Sequence, residues 1–170
     1  TFTYEAIGPR GRNDMRRNNI EIRKPTERDI RILVENLRPA DQEELKAYFS
    51  DNYQWIVKTC VKGSRDSWAV VVNGKLLFIC GVGITSLIGK VGCPWLLGTT
   101  HISKYPIEFI KQTRNILKEM LLDHDLLRNH VYIKNDAAIR FLKHLGFKLD
   151  APEVHGINGE FFYPFSMVAA

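Results

Sequence analysis

Several side chains in this sequence could take part in proton transfer, nucleophilic attack or metal binding. Cys93 and His101 are the first pair to weigh, because a thiolate attacks carbonyl carbon and an imidazole takes protons near neutral pH. The plainer reading is a core cysteine and a loop histidine. His124 stands between Asp123 and Asp125, and three adjacent residues cannot all turn toward one ion, so a solvated helix end is expected there. His130, His144 and His155 form neither a His-Glu-x-x-His nor a His-x-His pattern, and no metal is expected. Tyr105, Tyr132 and Tyr163 could donate a proton to a leaving group, although each also reads as a packed aromatic.

Cys60, Cys80 and Cys93 are odd in number and include no Cys-x-x-Cys pair, which argues against a disulfide framework and a zinc knuckle. Burial as small apolar residues is the expectation. A Gly-x-x-x-x-Gly-Lys-Ser/Thr loop and a Gly-x-Ser-x-Gly elbow are missing, and Gly81-x-Gly83 opens no helix. Triphosphatase, serine-hydrolase and dinucleotide-binding chemistry therefore lack their usual signals.

The elements that must position these residues follow from pattern. The chain has 170 residues, 45% apolar and 25% charged, enough for one domain with a real core. Its longest apolar-rich stretch, residues 68–85, is broken by Asn73-Gly74-Lys75, so no membrane span is expected, and no signal segment opens the chain. Net charge is +5, which permits anionic partners without requiring them. Residues 1–19 have no apolar period and carry Arg10, Arg12, Arg16 and Arg17. They read as a flexible basic arm that docks on an acidic protein surface or on nucleic acid, or else as a solvated terminus. Residues 20–170 read as a single domain.

Within it, Ile20–Arg23 alternates as a strand, and Thr26 with Asp29 resembles a capping box before an apolar helical face at Ile30, Leu33, Val34 and Leu37. A second helix follows Pro39, with Leu45, Tyr48 and Phe49 as its stripe; residues 53–61 either prolong it or form another. Asn73-Gly74 joins two strands as a hairpin, and the chain loosens around residues 86–92 before a strand at 93–98. The longest helix begins near Pro106, and residues 131–133 form a buried strand. Asn135 then caps a helix that ends at Gly146. Residues 147–149 and 160–165 are strands, the last at an edge or bulged because of Pro164. This order implies a mixed sheet with helices on both faces.

Residues 135–147, Asn-Asp-Ala-Ala-Ile-Arg-Phe-Leu-Lys-His-Leu-Gly-Phe, resemble the Asn-capped helix and Leu-Gly-Phe step of the GNAT (Gcn5-related N-acetyltransferase) superfamily. Residues 22–29 resemble its opening strand and helix start. Pro94-Trp95-Leu96-Leu97-Gly98-Thr99, the helix over 109–122, residues 127–146 and Gly159-Glu160-Phe161-Phe162 further resemble the small internal virion (core) proteins of short-tailed phages. That similarity covers residues 76–166. It implies an α+β fold with a mostly antiparallel sheet of about seven strands flanked by helices.

The resemblance also implies a site. Trp95, Leu96, Leu97 and Gly98 would pair with the pantetheine arm of acetyl-CoA, with Asn135 beside them. Yet 99–106 reads Thr-Thr-His-Ile-Ser-Lys-Tyr-Pro, without the glycines that let backbone N–H groups reach a pyrophosphate. Leu142 stands where many of these enzymes carry the acid tyrosine. No catalytic residue is assigned and no cofactor is expected. Two readings follow. The first is a degenerate acetyltransferase fold inside a phage virion, touching core or portal-associated proteins through the arm and the aromatic last strand, after assembly in the host cytoplasm. The second is an active acetyl-CoA-dependent N-acetyltransferase with a remodelled loop beside an open cleft.

Overall fold

The computed structural model describes residues 17–49 and 52–170. Arg10, Arg12 and Arg16 of the expected arm lie outside the described residues, and Arg17 is exposed. β1 (Ile20–Arg23) leads into α1 (Glu27–Glu35) through the anticipated capping box. The Asp29 N–H donates to Thr26 Oγ1 at 3.2 Å, and the Thr26 N–H donates to Asp29 Oδ2 at 2.7 Å. Arg23 donates to both oxygens of the buried Asp29, so strand, cap and helix share one charge. Burial alone would raise the Asp29 pKa, but the bonds from Arg23 and Thr26 outweigh it and hold the carboxyl below its ordinary range.

Pro39 opens α2 (Pro39–Tyr48) at a position where its missing N–H costs nothing. α3 (Tyr53–Gly63) is a separate helix, its first turn capped by Asn52. β2 (Ser64–Val72) and β3 (Lys75–Ser86) meet at Asn73 and Gly74, whose φ angles of 50° and 77° are those of a type I′ turn. Where a loosened chain was expected, β3 turns tightly through residues 87–90 into β4 (Val91–Gly98), and Ser86 pairs with Val91. A short 3₁₀ turn at Thr100–Lys104 precedes α4 (Pro106–Asp123), β5 (Leu126–Tyr132) and α5 (Asp136–Leu145). Asn135 caps α5, and Gly146 ends it at φ 99°, in the left-handed region. β6 (Lys148–Leu149), β7 (Glu153–Val154) and β8 (Phe161–Val168) complete the chain.

The eight strands form one sheet in the order β1-β2-β3-β4-β5-β8-β6, with β7 also on β8. Every pair is antiparallel except β4–β5, which runs parallel over only Val91↔Leu126 and Gly92↔Leu127. Successive residues of β2 serve opposite faces. Ala69 and Val71 pack with Leu33, Leu45 and Val57 of α1 to α3, while Val70 and Val72 pack with Phe109, Ile116 and Met120 of α4. β3 is buried on both sides, which is why it reads as an almost unbroken apolar run.

Three expectations are corrected. Pro164 does not mark an edge, since β8 lies between β5 and the short strands β6 and β7. β6 pairs with residues 165–166 and β7 with 161–162, so Pro164 falls in the gap and offers only its carbonyl, to the Asp150 N–H at 2.9 Å. The aromatic last strand is largely core, with Phe162 and Phe165 buried and Phe161 exposed. His124 is no solvated helix end: it is buried, with Nδ1 2.8 Å from the Met120 carbonyl oxygen. Among the described residues, no helix is long and apolar enough to cross a membrane.

The folded Asp29 carboxyl titrates below its unfolded value of 3.8, so its stabilisation is present at neutral pH and is lost as pH falls through the acid range. Asp29→Asn is expected to cost about 2 kcal/mol at pH 7 by urea unfolding. The gap to the wild type should close as the pH drops below 3.8.

Candidate functional site

β4 and β5 part after two residue pairs, and a cavity of about 510 Å³ opens where they diverge. Leu96, Phe109, Ile116, Phe141 and Leu142 give it an apolar wall, and Arg38, just before α2, with Asp41, Glu44 and Tyr48 of α2, brings polar groups to it. Strands that separate leave backbone groups without ladder partners, and buried groups of that kind must find others. Here side chains of the same chain supply them. The Gly98 N–H donates to Asp41 Oδ2 at 2.8 Å, and the Tyr132 N–H donates to Glu44 Oε1 at 3.0 Å. Asn129 bridges the gap, donating from Nδ2 to the Pro94 carbonyl at 2.8 Å and accepting from the His130 N–H at 2.8 Å.

Of the residues expected to hold a pantetheine arm, Trp95, Leu96 and Leu97 border the cavity. Trp95 turns its indole N–H to Ser64 Oγ at 2.7 Å. Gly98 is pressed against protein: a Cβ there would meet Arg38 Nε at 2.7 Å and the Ile102 side chain. Asn135 is committed twice, accepting from the Ala138 N–H at 3.2 Å and donating to Glu44 Oε2 at 2.6 Å. The loop after β4 spends its amides internally. Thr99 donates to the Leu77 carbonyl at 2.8 Å, Thr100 to that of Asn36 at 3.0 Å, and His101 to Thr99 Oγ1 at 3.2 Å. Arg38 then grips Asp41 through Nε at 2.9 Å and Nη2 at 3.2 Å, and its backbone N–H donates to the Gly98 carbonyl at 3.0 Å.

The other candidates do not assemble. Cys93 and His101 lie at opposite ends of β4, and burial pushes the Cys93 thiol up, away from the reactive thiolate. Cys80 is fully buried, and burial lifts Cys60 to about 11. Tyr132 packs on Phe162, and Tyr105 sits at the start of α4. Asp123 pairs with Arg65 at 3.5 Å, well apart in role from buried His124.

Sequence reading missed the polar face of α2. Arg38, Asp41, Glu44, Leu45 and Tyr48 recur at helical spacing, and only the apolar members drew notice. An ionisable residue in step with the buried stripe was the available signal. Glu44 touches the cavity yet has protein around its carboxylate. Desolvation raises its pKa to about 7, against the pull of the bonds from Tyr132 and Asn135; Asp41 adds to the rise and Arg38 opposes it.

The fold and cleft define a class: the chain has the GNAT acetyltransferase fold. An Ard1 structure from Thermoplasma volcanium superposes at a TM-score of 0.67 and 17% identity, covering 89% of this chain and 98% of that one. The ribosomal-protein-S18-alanine N-acetyltransferase of Escherichia coli gives 0.65 and 12%, covering 89% and 95%. A spermidine N-acetyltransferase from Vibrio cholerae, solved in complex with CoA and spermine, gives 0.66 and 14%, covering 88% and 95%. Within the chain, residues 81–151 match a family model described as "Bacteriophage T7, probable scaffold protein Gp13". That stretch runs from the middle of β3 past β6 and overlaps the resemblance to phage core proteins. No curated protein matches the chain by sequence.

The raised pKa makes a signed prediction. Folded Glu44 holds its proton up to about 7 while the unfolded residue loses it near 4.5, so this contribution to stability is full below 4.5 and is lost as pH rises toward 7. The slope is at most about 1.4 kcal/mol per pH unit. Glu44→Gln has no proton to lose, and urea unfolding at several pH values should show this fall in the wild type and not in the variant.

Proposed function

We propose that the chain is an internal core or scaffold-type structural protein of a short-tailed phage. Its acetyltransferase fold would then serve as a scaffold, and its work would be protein–protein contact inside the virion. The observation that carries this reading is the self-satisfied cleft. Asp41, Glu44 and Asn129 already serve the backbone groups that an acyl-pantetheine arm would pair with, and the loop amides are spent within the chain. By strand alternation, Leu96 is the β4 residue left with polar backbone turned toward the gap. The family match over residues 81–151 supports the phage setting.

Partners on this reading are other virion proteins, core or portal-associated, met during assembly in the host cytoplasm. Residues 1–19 form a basic arm appended to the domain of residues 20–170, and its arginines serve docking on an acidic protein surface, with nucleic acid as the weaker use. A better apolar contact than the aromatic strand lies at one end of the sheet. Leu87 and Ile88 at the β3–β4 turn are 79% and 101% exposed, and Leu122 and Val168 are exposed at the same end. The alternative is an active N-acetyltransferase, for which the open cavity and Glu44, poised to take a proton near neutral pH, are the features in favour.

Calorimetric titration separates the two. CoA and acetyl-CoA are expected to give no binding to the purified protein at millimolar ligand. Micromolar binding accompanied by acetyl transfer to an amine would overturn the scaffold reading. Mass spectrometry of purified phage particles should find the chain in the head at fixed stoichiometry, and its absence from mature particles would count against a virion role.

A further inference from the structure

We infer that His130, Glu153 and His155 form a binding site for a divalent transition-metal ion of the zinc or nickel kind, at the mouth of the cleft. They come from two separate parts of the sequence, and the sheet brings them together. His130 of β5 is in register with Pro164, and Glu153 of β7 with Phe162 two residues away, so both lean over the same stretch of β8. Glu153 and His155 are two apart on extended chain, which puts them on one face. One ligand atom from each residue lies within 4.8 Å of the other two. His130 Nε2 stands 2.8 Å from Glu153 Oε1, and the two imidazoles stack at 3.7 Å between centroids and 9° between planes.

The protonation chemistry suits a metal. Stacked imidazoles repel each other when both are charged. The face-to-face stack of His130 and His155, 3.7 Å between centroids, therefore disfavours the doubly protonated pair. His155 Nε2 lies 2.6 Å from Tyr48 Oη. The phenol O–H donates to Asn129 Oδ1 at 3.5 Å, so its oxygen accepts from the His155 Nε2–H and the free lone pair of His155 is on Nδ1, the atom left for a metal. Other charged groups near this face are Glu44 on α2, which faces Tyr132 and Asn135, and Glu160, which bonds the Asn158 N–H.

Two imidazoles and one carboxylate are the donor set of three-ligand zinc sites with a water in the fourth position. One carboxylate is too few for calcium, and magnesium prefers all-oxygen surroundings. Zinc–ligand bonds of about 2.0–2.1 Å require the donor atoms to draw closer than they stand now. Glu153 is exposed enough to swing inward, and the His155 ring must tilt out of its stack so that the two lone pairs converge. Bound metal would tie β7 to β5, across β8 and beside α2.

The test is titration of the full chain with zinc chloride, read by calorimetry and thermal melting. Binding of one ion per chain with a raised melting temperature is expected. His130→Gln and His155→Gln should each weaken it at least about tenfold, while His144→Gln, at a histidine 3.0 Å from Arg114 on the α4–α5 side, should leave it unchanged. Cobalt(II) in the same site should show the visible absorption of a four- or five-coordinate centre. His155 is an exposed residue outside the core, so its variant is expected to fold, and circular dichroism checks this. Absence of binding at millimolar zinc, or binding indifferent to both His130→Gln and His155→Gln, would overturn the assignment.

Discussion

Two neighbouring parallel strands cannot diverge inside a protein without stranding amides and carbonyls, and each one left buried and unpaired costs on the order of 1–3 kcal/mol. The parting of β4 and β5 is therefore the constraint from which much of the remaining structure follows. Asp41 and Glu44 sit one helical turn apart on α2 and reach the Gly98 and Tyr132 amides on opposite sides of the gap. The helix is thus held to the sheet by carboxylates aimed at backbone as well as by Leu45 in the core. Asn129 spans the gap directly, serving a carbonyl on one strand and an amide on the other. Water cannot do this work inside an apolar cleft without being held there by polar partners, and the wall of this cleft supplies few.

The two carboxylates solve the same problem at different electrostatic expense. Asp41 is buried beside Arg38, which offers a two-pronged partner and keeps the charge compensated. Glu44 is bonded by the neutral N–H donors of Tyr132 and Asn135, and hydration lost on burial dominates. One acid is tied into an ion pair, and the other lies close to its titration point at neutral pH. Such a split is a hallmark of sites that handle protons, but here it follows from the architecture, because Arg38 directs its guanidinium hydrogen bonds to Asp41.

Much of this fold was legible where local rules and tertiary demands agree. Asn73-Gly74, the Thr26–Asp29 cap, and the Asn135 start and Gly146 stop of α5 each carry their own short-range physics, and each appears where sequence places it. What could not be read depended on residues distant in sequence. β7 has two residues and no period of its own, and exists because β8 offers it an edge. Pro164 signals an edge strand by the usual rule, but a gap between two short partners satisfies it equally well. His124 between two aspartates reads as solvated, yet Gly92 leaves room for its ring beside Val82. Leu96, Gly98 and Asn135 could be named as candidates from the resemblance. The commitment of Gly98 to Asp41 and of Asn135 to Glu44 could not, because these acids look like ordinary surface charges until the helix is docked.

A rim that is satisfied internally changes what the cavity can still offer. A polar ligand seeking the Gly98 or Tyr132 amide would have to displace Asp41 or Glu44, and each displaced carboxylate would need a new partner in a poorly hydrated place. Nothing comparable opposes an apolar group, since Leu96, Phe109, Phe141 and Leu142 gain contact when the space fills. The same side chains that secure α2 to the sheet therefore make the remaining cleft wall chiefly apolar. The hydrogen bonds that secure α2 to the sheet are thus the same ones that occupy the polar groups bordering the cleft.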